Sequence, residues 1–555
     1  MHLGQIAAQT PDKPAVVMAG SGRVITFREL NEESNRLAQL LRAEGLRRGD
    51  HIAFMLENHP LFLAVAWAAQ RSGLYYTAVS TRLQSDELSY IVENCGAKAF
   101  ITSAAMEAGE QSVPGGVGGR PPTRERPIPG GVGGPPTRER PVSKVRMPDV
   151  PLRLMLGGTA PGYESYEERV AAYPATPIED ESEGHDMLYS SGTTGRPKGV
   201  KLPLTSGPMG SQNILHGLLS LLFQPDADSV YLSTAPLYHA APLRYCVTLH
   251  RFGATVVVME RFDPEQALAA IEKYRVTHSQ WVPTMFIRML KLPEETRARY
   301  DVSSLRAAVH AAAPCPVPVK ERMIEWWGPV LHEYYAATEA NCFVYTNAED
   351  WLAHPGTVGR PLLGEVHVCD EDGRELPPGT PGTLYFGNAP MFEYHGDTAK
   401  TAESRDPWGN GWTTVGDIGY VDEDGFIYLT DRRSYVIISG GVNVYPQEAE
   451  NVLAVHPRVA DVAVIGVPDP EMGEAVKAVV QPMSMDEAGP DLEAELIEFC
   501  RAKLARYKCP RTVDFRAELP RHATGKLYKR LLKDEYWPGE HPETPSDATR
   551  RPQRA

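Results

Sequence analysis

The chain has 555 residues, 42% of them apolar, enough for several packed units. Its 71 acidic and 56 basic side chains give a net charge of −15, which excludes binding to nucleic acid or an anionic membrane through clustered cations. Seven scattered cysteines lack CxxC spacing, which points away from zinc and from a disulfide framework and toward a reducing compartment.

The N-terminus has no basic segment leading into an apolar run, so no targeting signal is expected. The apolar stretch at 61–69 is far too short to span a bilayer. The protein is therefore read as cytoplasmic, with no transmembrane segment. Its oligomeric state is not encoded in any readable pattern.

Residues 24–110 alternate helix and strand signals. Leu30, Leu37, Leu40 and Leu41 recur at helical spacing until Gly45 stops the run. HIAFML (51–56) reads as a buried strand, a helix follows, and 97–102 is another short apolar segment. Such alternation predicts βαβ units around a mainly parallel sheet. Residues 111–148 break the pattern. PGGVGGRPPTRERP (114–127) is nearly repeated as PGGVGGPPTRERP (129–141), and its composition predicts a disordered insertion.

Helix and strand alternate again from 151 to 345. Beyond that, EVHVCDEDGREL (365–376) and GYVDEDGFIYL (419–429) each set Asp-Gly between alternating apolar residues, which predicts hairpins and a β-rich unit. A small α+β domain is expected to follow. A helix opens near Pro446, strands cover 461–467 and 475–481, and Asp491–Arg506 is amphipathic. The expected organisation is a domain over 1–430, a hinge at 431–433, a second domain over 434–533 and a disordered tail over 534–555.

The strongest chemical signal is YSSGTTGRPKGV (189–200). It is not a Walker A loop, because Lys198 is followed by Gly199 and then by strand-like alternation, not by a hydroxyl at a helix start. Glycines at 192, 195 and 199 free backbone N–H groups for anions, Thr193 and Thr194 add hydroxyls, and Lys198 adds charge. The stretch reads as a phosphate cradle between two strands.

This stretch resembles the phosphate loop of the adenylate-forming superfamily, which includes acyl-CoA synthetases, luciferases and peptide-synthetase adenylation domains. The resemblance spans nearly the whole chain apart from 111–148, and is nearest to bacterial fatty-acyl or aryl-acyl CoA ligases. It implies an α/β fold: a large N-terminal domain of two α/β subdomains plus a distorted β-barrel, and a small mobile α+β C-terminal domain. It also implies ATP, Mg²⁺ and coenzyme A as cofactors and a small carboxylic acid as partner.

The family motifs imply individual roles. Ser190, Ser191, Gly192, Thr193, Thr194, Gly195 and Lys198 would hold phosphate. YYAATE (334–339) resembles the family's YGxTE, with Ala336 in place of the usual glycine. Tyr335 would stack on adenine, Thr338 would bond the α-phosphate, and Glu339 with Thr193 would bind the metal. Within HAAAPCP (310–316), Ala312 and Ala313 would line the adenine, and Ala312 the acyl tunnel as well. His239 in PLYHAA would meet the acid's carboxylate, and Trp281 would form a tunnel wall. Asp417 would accept both ribose hydroxyls, being an acceptor with two oxygens.

In LTDRRSYVIISGGVNVYPQEAE (429–450), Asp431 would be the pivot and Arg432 would reach the ribose. Gly440 and Gly441 would let the thiol-bearing arm of CoA pass. Ser434 stands where relatives often carry lysine. Lys526 in PRHATGKLYKR would catalyse adenylation. The implied activity is ATP-dependent ligation of a medium- or long-chain fatty acid to CoA through acyl-AMP. The alternatives are an aryl-acid CoA ligase and an enzyme that loads a separate carrier protein. A catalytically dead binding protein is disfavoured by the joint presence of Thr193, Glu339, Asp417 and Lys526.

Overall fold

A computed structural model describes residues 1–108, 141–147, 149–190, 197–205, 207–211, 213–432, 435–521 and 527–537. Among these residues there are five sheets.

The largest sheet has nine strands, in the order Arg360–Leu363, Phe343–Asn347, Leu331–Tyr335, Ala307–His310, His278–Trp281, Val230–Ser233, Thr255–Val258, Pro14–Met18 and Val24–Thr26. Its middle is parallel, and its outer pairs are antiparallel. The second sheet is six-stranded and parallel throughout, centred on His51–Met55 and Ala97–Ser103. Both are the parallel sheets that the helix–strand alternation predicts.

Local sequence explains the elements around them. Thr26 and Glu29 form a reciprocal capping box that opens the helix Phe27–Ala43, whose Leu30, Leu37, Leu40 and Leu41 are fully buried. Gly45 then takes φ +87° and ends the run. The apolar stretch at 61–69 falls in the helix Phe62–Arg71, which is buried on every side. It lies between the two sheets' cores and is not a membrane span. No helix among the described residues is long and apolar enough to cross a membrane.

Two smaller sheets stand where a barrel was expected. Four antiparallel strands run in the order Glu365–Cys369, Gly382–Gly387, Asp417–Val421 and Ile427–Arg432. The Asp-Gly turns fall as predicted: Val421 pairs with Ile427 across Gly425, at φ +83°, and Cys369 bridges Glu375 across Gly373, at φ +81°. Glu393–Tyr394, Lys198–Lys201 and Leu188–Ser190 form a three-stranded sheet.

The C-terminal unit is a five-stranded sheet packed by helices. Val459–Asp469 and Gly473–Pro482 form its long hairpin, and Pro446 starts the helix Pro446–Ala454 at its first position. The predicted amphipathic segment is the helix Pro490–Arg501 followed by a separate short turn at Arg506–Lys508.

Two expected boundaries shift. Residues 141–147 lie inside the span expected to be disordered, yet Val142, Val145 and Met147 are buried against the six-stranded sheet's core, and Ser143 bonds Glu107 through its N–H and hydroxyl. The apolar residues after the repeat give this piece something to bury. The repeat copies at 114–140 lie outside the described residues. The expected tail also begins later, because the helix Lys529–Tyr536 runs past 534 and Trp537 donates to the Gly466 carbonyl at 3.1 Å.

Candidate active site

The antiparallel pair Leu188–Ser190 and Lys198–Lys201 brackets the phosphate-loop motif, with Ser190 opposite Lys198. The two flanking strands expected from the sequence are present. Ser191, Gly192, Thr193, Thr194 and Gly195 lie outside the described residues, as does Ser190's side chain. Lys198 is half-buried with its ammonium 5.0 Å from the Tyr394 ring centre. Burial holds its pKa below the ordinary lysine value, helped by the nearby Lys400 charge and opposed by Glu403, Glu339 and Asp397.

Glu339 is the buried carboxylate of this cluster. The Tyr394 hydroxyl donates to its Oε1 at 2.8 Å. Tyr394 comes from a strand 55 residues away, so no local pattern announces it. Thr338 beside Glu339 is half-buried. One buried carboxylate with Lys198 nearby fits a hard cation that takes its other ligands from phosphate and water. No group of three or more His, Cys, Asp or Glu residues suited to a metal occurs among the described residues.

Four residues before Glu339, the Tyr335 hydroxyl donates to Asp417 Oδ2 at 2.7 Å. Asp417 is only 6% exposed and opens a strand directly opposite Arg432. The ladder therefore brings three residues assigned to one nucleotide together: Tyr335, Asp417 and the backbone of Arg432, whose side chain lies outside the described residues. Ala312 and Ala313 follow the strand Ala307–His310. Ala312 is exposed and takes φ +77°, a conformation that favours glycine.

His239 caps the helix Ala240–His250 through its backbone, half-buried, with its ring 4.5 Å from that of Tyr238. Trp281 does not join it. Side chains alternate along His278–Trp281, and Trp281 turns to the far face of the nine-stranded sheet, bonding Ser279 Oγ at 2.8 Å and packing on Phe286 and Trp327. Its neighbour Gln280 faces the helix that begins after His239. Gln280 was not singled out from the sequence; only the sheet's facing reveals it.

Lys526 lies outside the described residues, but the base of its loop does not. Arg521 bridges Leu527, and the Tyr528 N–H donates to the Pro520 carbonyl at 2.8 Å. Burial pushes the Tyr528 hydroxyl up to about 12, with contributions from Glu87 and Tyr238 and an opposing one from Arg82. Lys529 and Glu450 form a buried pair at 2.8 Å.

Asp431 lies in the last strand of the four-stranded sheet, opposite Ile418, and its Oδ2 accepts the Gln447 N–H at 3.2 Å. This links the strand to the helix Pro446–Ala454. Ser434 lies outside the described residues. Gly440 and Gly441 have φ of +58° and +79° and close a two-residue hairpin between Ser439 and Val442. Both positive φ values suit glycine in such a two-residue turn. A Cβ at Gly441 would meet nothing within 4 Å, whereas one at Gly440 would press on Met472 Sδ at 2.9 Å.

The family model described as AMP-binding enzyme matches residues 3–394, and the AMP-binding enzyme C-terminal domain matches 448–526. A feruloyl-CoA synthase of Amycolatopsis sp. is 33% identical over 536 residues, covering 94% of this chain and 96% of that protein. A long-chain-fatty-acid–CoA ligase of Bacillus subtilis is 30% identical over 551 residues, covering 96% and 94%. The o-succinylbenzoate CoA synthetase structure from Bacillus subtilis, in complex with its acyl-adenylate, is 26% identical with a TM-score of 0.74, covering 96% of this chain and 97% of that one.

Proposed function

The chain belongs to the AMP-binding enzyme family, and from that premise we propose a two-step reaction in this cleft. The protein is an AMP-forming acid–thiol ligase. A carboxylate is a poor electrophile, and joining it to AMP supplies a leaving group. First, a carboxylate oxygen bonds to the α-phosphorus of ATP as the bond to pyrophosphate breaks. Then the sulfur of coenzyme A bonds to the acyl carbon, the bond to AMP breaks and the thiol proton passes to solvent.

Both displacements depend on positioning and on charge neutralisation. Lys198 and the loop 190–195 hold the phosphates. Asp417 accepts the ribose hydroxyls, Arg432 reaches the same sugar, and Tyr335 and the Ala312–Ala313 turn flank adenine. Thr338 meets the α-phosphate, and His239 faces the acid's carboxylate. Glu339 with Thr193 would hold Mg²⁺, which supplies positive charge to the phosphates. Lys526 enters for the first displacement only. Asp431 is then the pivot that lets Gly440, Gly441 and their neighbours replace it.

The observation that carries this reading is the pair of contacts on one short segment: Tyr335 with Asp417, and Glu339 with Tyr394 beside Lys198. Together they offer a ribose acceptor and a phosphate–metal site four residues apart. Lys526→Ala tests it. Acid- and ATP-dependent pyrophosphate release should fall a hundredfold or more, about 2.7–4 kcal/mol of barrier, while thioester formation from supplied acyl-AMP survives. Equal loss of both steps overturns the division of labour. Exclusive use of a carrier protein's thiol would overturn coenzyme A as acceptor.

A further inference from the structure

One face of the nine-stranded sheet carries Tyr231, Gln280, Val309 and Tyr334 toward the helix Ala240–His250. The Gln280 amide donates to the Tyr334 hydroxyl at 3.0 Å and accepts from the Tyr231 hydroxyl at 3.4 Å. Tyr245 stacks between Tyr231 and Tyr334, with ring centres 6.2 and 6.1 Å away, and Phe343 stacks on Tyr334 at 5.2 Å. The cavity bounded by Leu219, Phe223, Tyr231, Tyr245 and Val309 holds only about 10 Å³. That is at the threshold for a single water.

Arg244 stands at the side of the layer. It grips Asp186 through Nε and Nη2 at 2.7–3.2 Å and keeps 21% of its side chain exposed in otherwise buried surroundings. Asp186 cancels its charge, and the Asp186 contacts do not use Nη1. Such a group suits a neutral acceptor oxygen better than a second carboxylate. At 1.5 Å per residue, Tyr245 lies only about 9 Å along the helix from His239.

We propose that Tyr334, Gln280 and Arg244 set the depth and chemistry of the acid pocket. It is a short aromatic slot for an aryl acid with an oxygen substituent on its ring, not a tunnel for a long alkyl chain. The proposal rests on the ligase reading above, with His239 at the carboxylate end. A flat ring stacks on the aromatic wall these side chains form, and the amide–hydroxyl chain meets the far oxygen. An extended alkyl chain would have to displace three large side chains and leave buried polar groups without partners.

The test compares kcat/KM for a 4-hydroxycinnamate, the unsubstituted cinnamate and hexadecanoate in the native protein, Gln280→Leu and Tyr334→Ala. The native protein should prefer the hydroxylated acid to either of the others by about tenfold or more. Gln280→Leu, which conserves volume, should bring the two cinnamates to near equality. Tyr334→Ala should raise hexadecanoate about tenfold relative to the cinnamates. AMP affinity, read on the opposite face of the same strand, should stay within twofold in both variants and certify folding. Equal or better native use of hexadecanoate, or unchanged ratios in both folded variants, overturns the proposal. Absence of pyrophosphate release with every acid would instead overturn the ligase reading beneath it.

Discussion

Asp417→Asn isolates the nucleotide side of the site. The native carboxylate is almost wholly buried and accepts the Tyr335 hydroxyl on Oδ2. The amide keeps the shape but replaces one acceptor oxygen with a donor. Tyr335 can use the oxygen that remains, so a ribose diol loses charge-assisted acceptance. A hydrogen bond to a charged group contributes about 1.5–3 kcal/mol, roughly ten- to hundredfold in affinity. Calorimetric titration with ATP should find that loss. The same titration with 2′-deoxyATP, which lacks one of the two hydroxyls, should find a smaller one, so that the two nucleotides converge. Tyr335→Phe should be non-additive with Asp417→Asn, since each removes part of one unit. If Asp417→Asn binds ATP within twofold of native, or still distinguishes the two nucleotides as before, Asp417 does not hold the ribose.

Glu339→Gln should lower adenylation about a hundredfold and flatten its magnesium dependence, measured as pyrophosphate release against Mg²⁺ concentration. Ala312→Gly should stabilise the fold by up to about 1 kcal/mol in urea unfolding, because relief of the φ +77° strain exceeds the added freedom of the unfolded chain. His250 is buried between Trp67 and the Ala15 carbonyl, and burial depresses its pKa to about 4 from 6.5, with the carbonyl opposing. The unfolded state therefore binds the proton more readily. Stability from this residue is complete above pH 6.5 and falls toward pH 4, by about 2 kcal/mol at pH 5, checked by unfolding at both ends of that window.

Features set by neighbouring residues were readable in the sequence. The stop at Gly45, the Asp-Gly hairpins and Pro446 at a helix start each depend on a few adjacent positions. What escaped depends on facing or on distant chain. Trp281 and Gln280 are adjacent, and only the sheet tells which one turns toward His239. Tyr394 reaches Glu339, and Asp186 reaches Arg244, from 55 and 58 residues away. The glycine pair at 440–441 also closes a hairpin at positive φ, a turn that the reading of its missing side chains did not name.

The strand Leu331–Tyr335 ends in two tyrosines that point opposite ways, Tyr335 to Asp417 and Tyr334 to Gln280. Substitutions on one side of that peptide plane leave the other side's partners in place. On the reading proposed above, a change at position 334 would alter which acid is accepted and leave the nucleotide contact at 335 untouched.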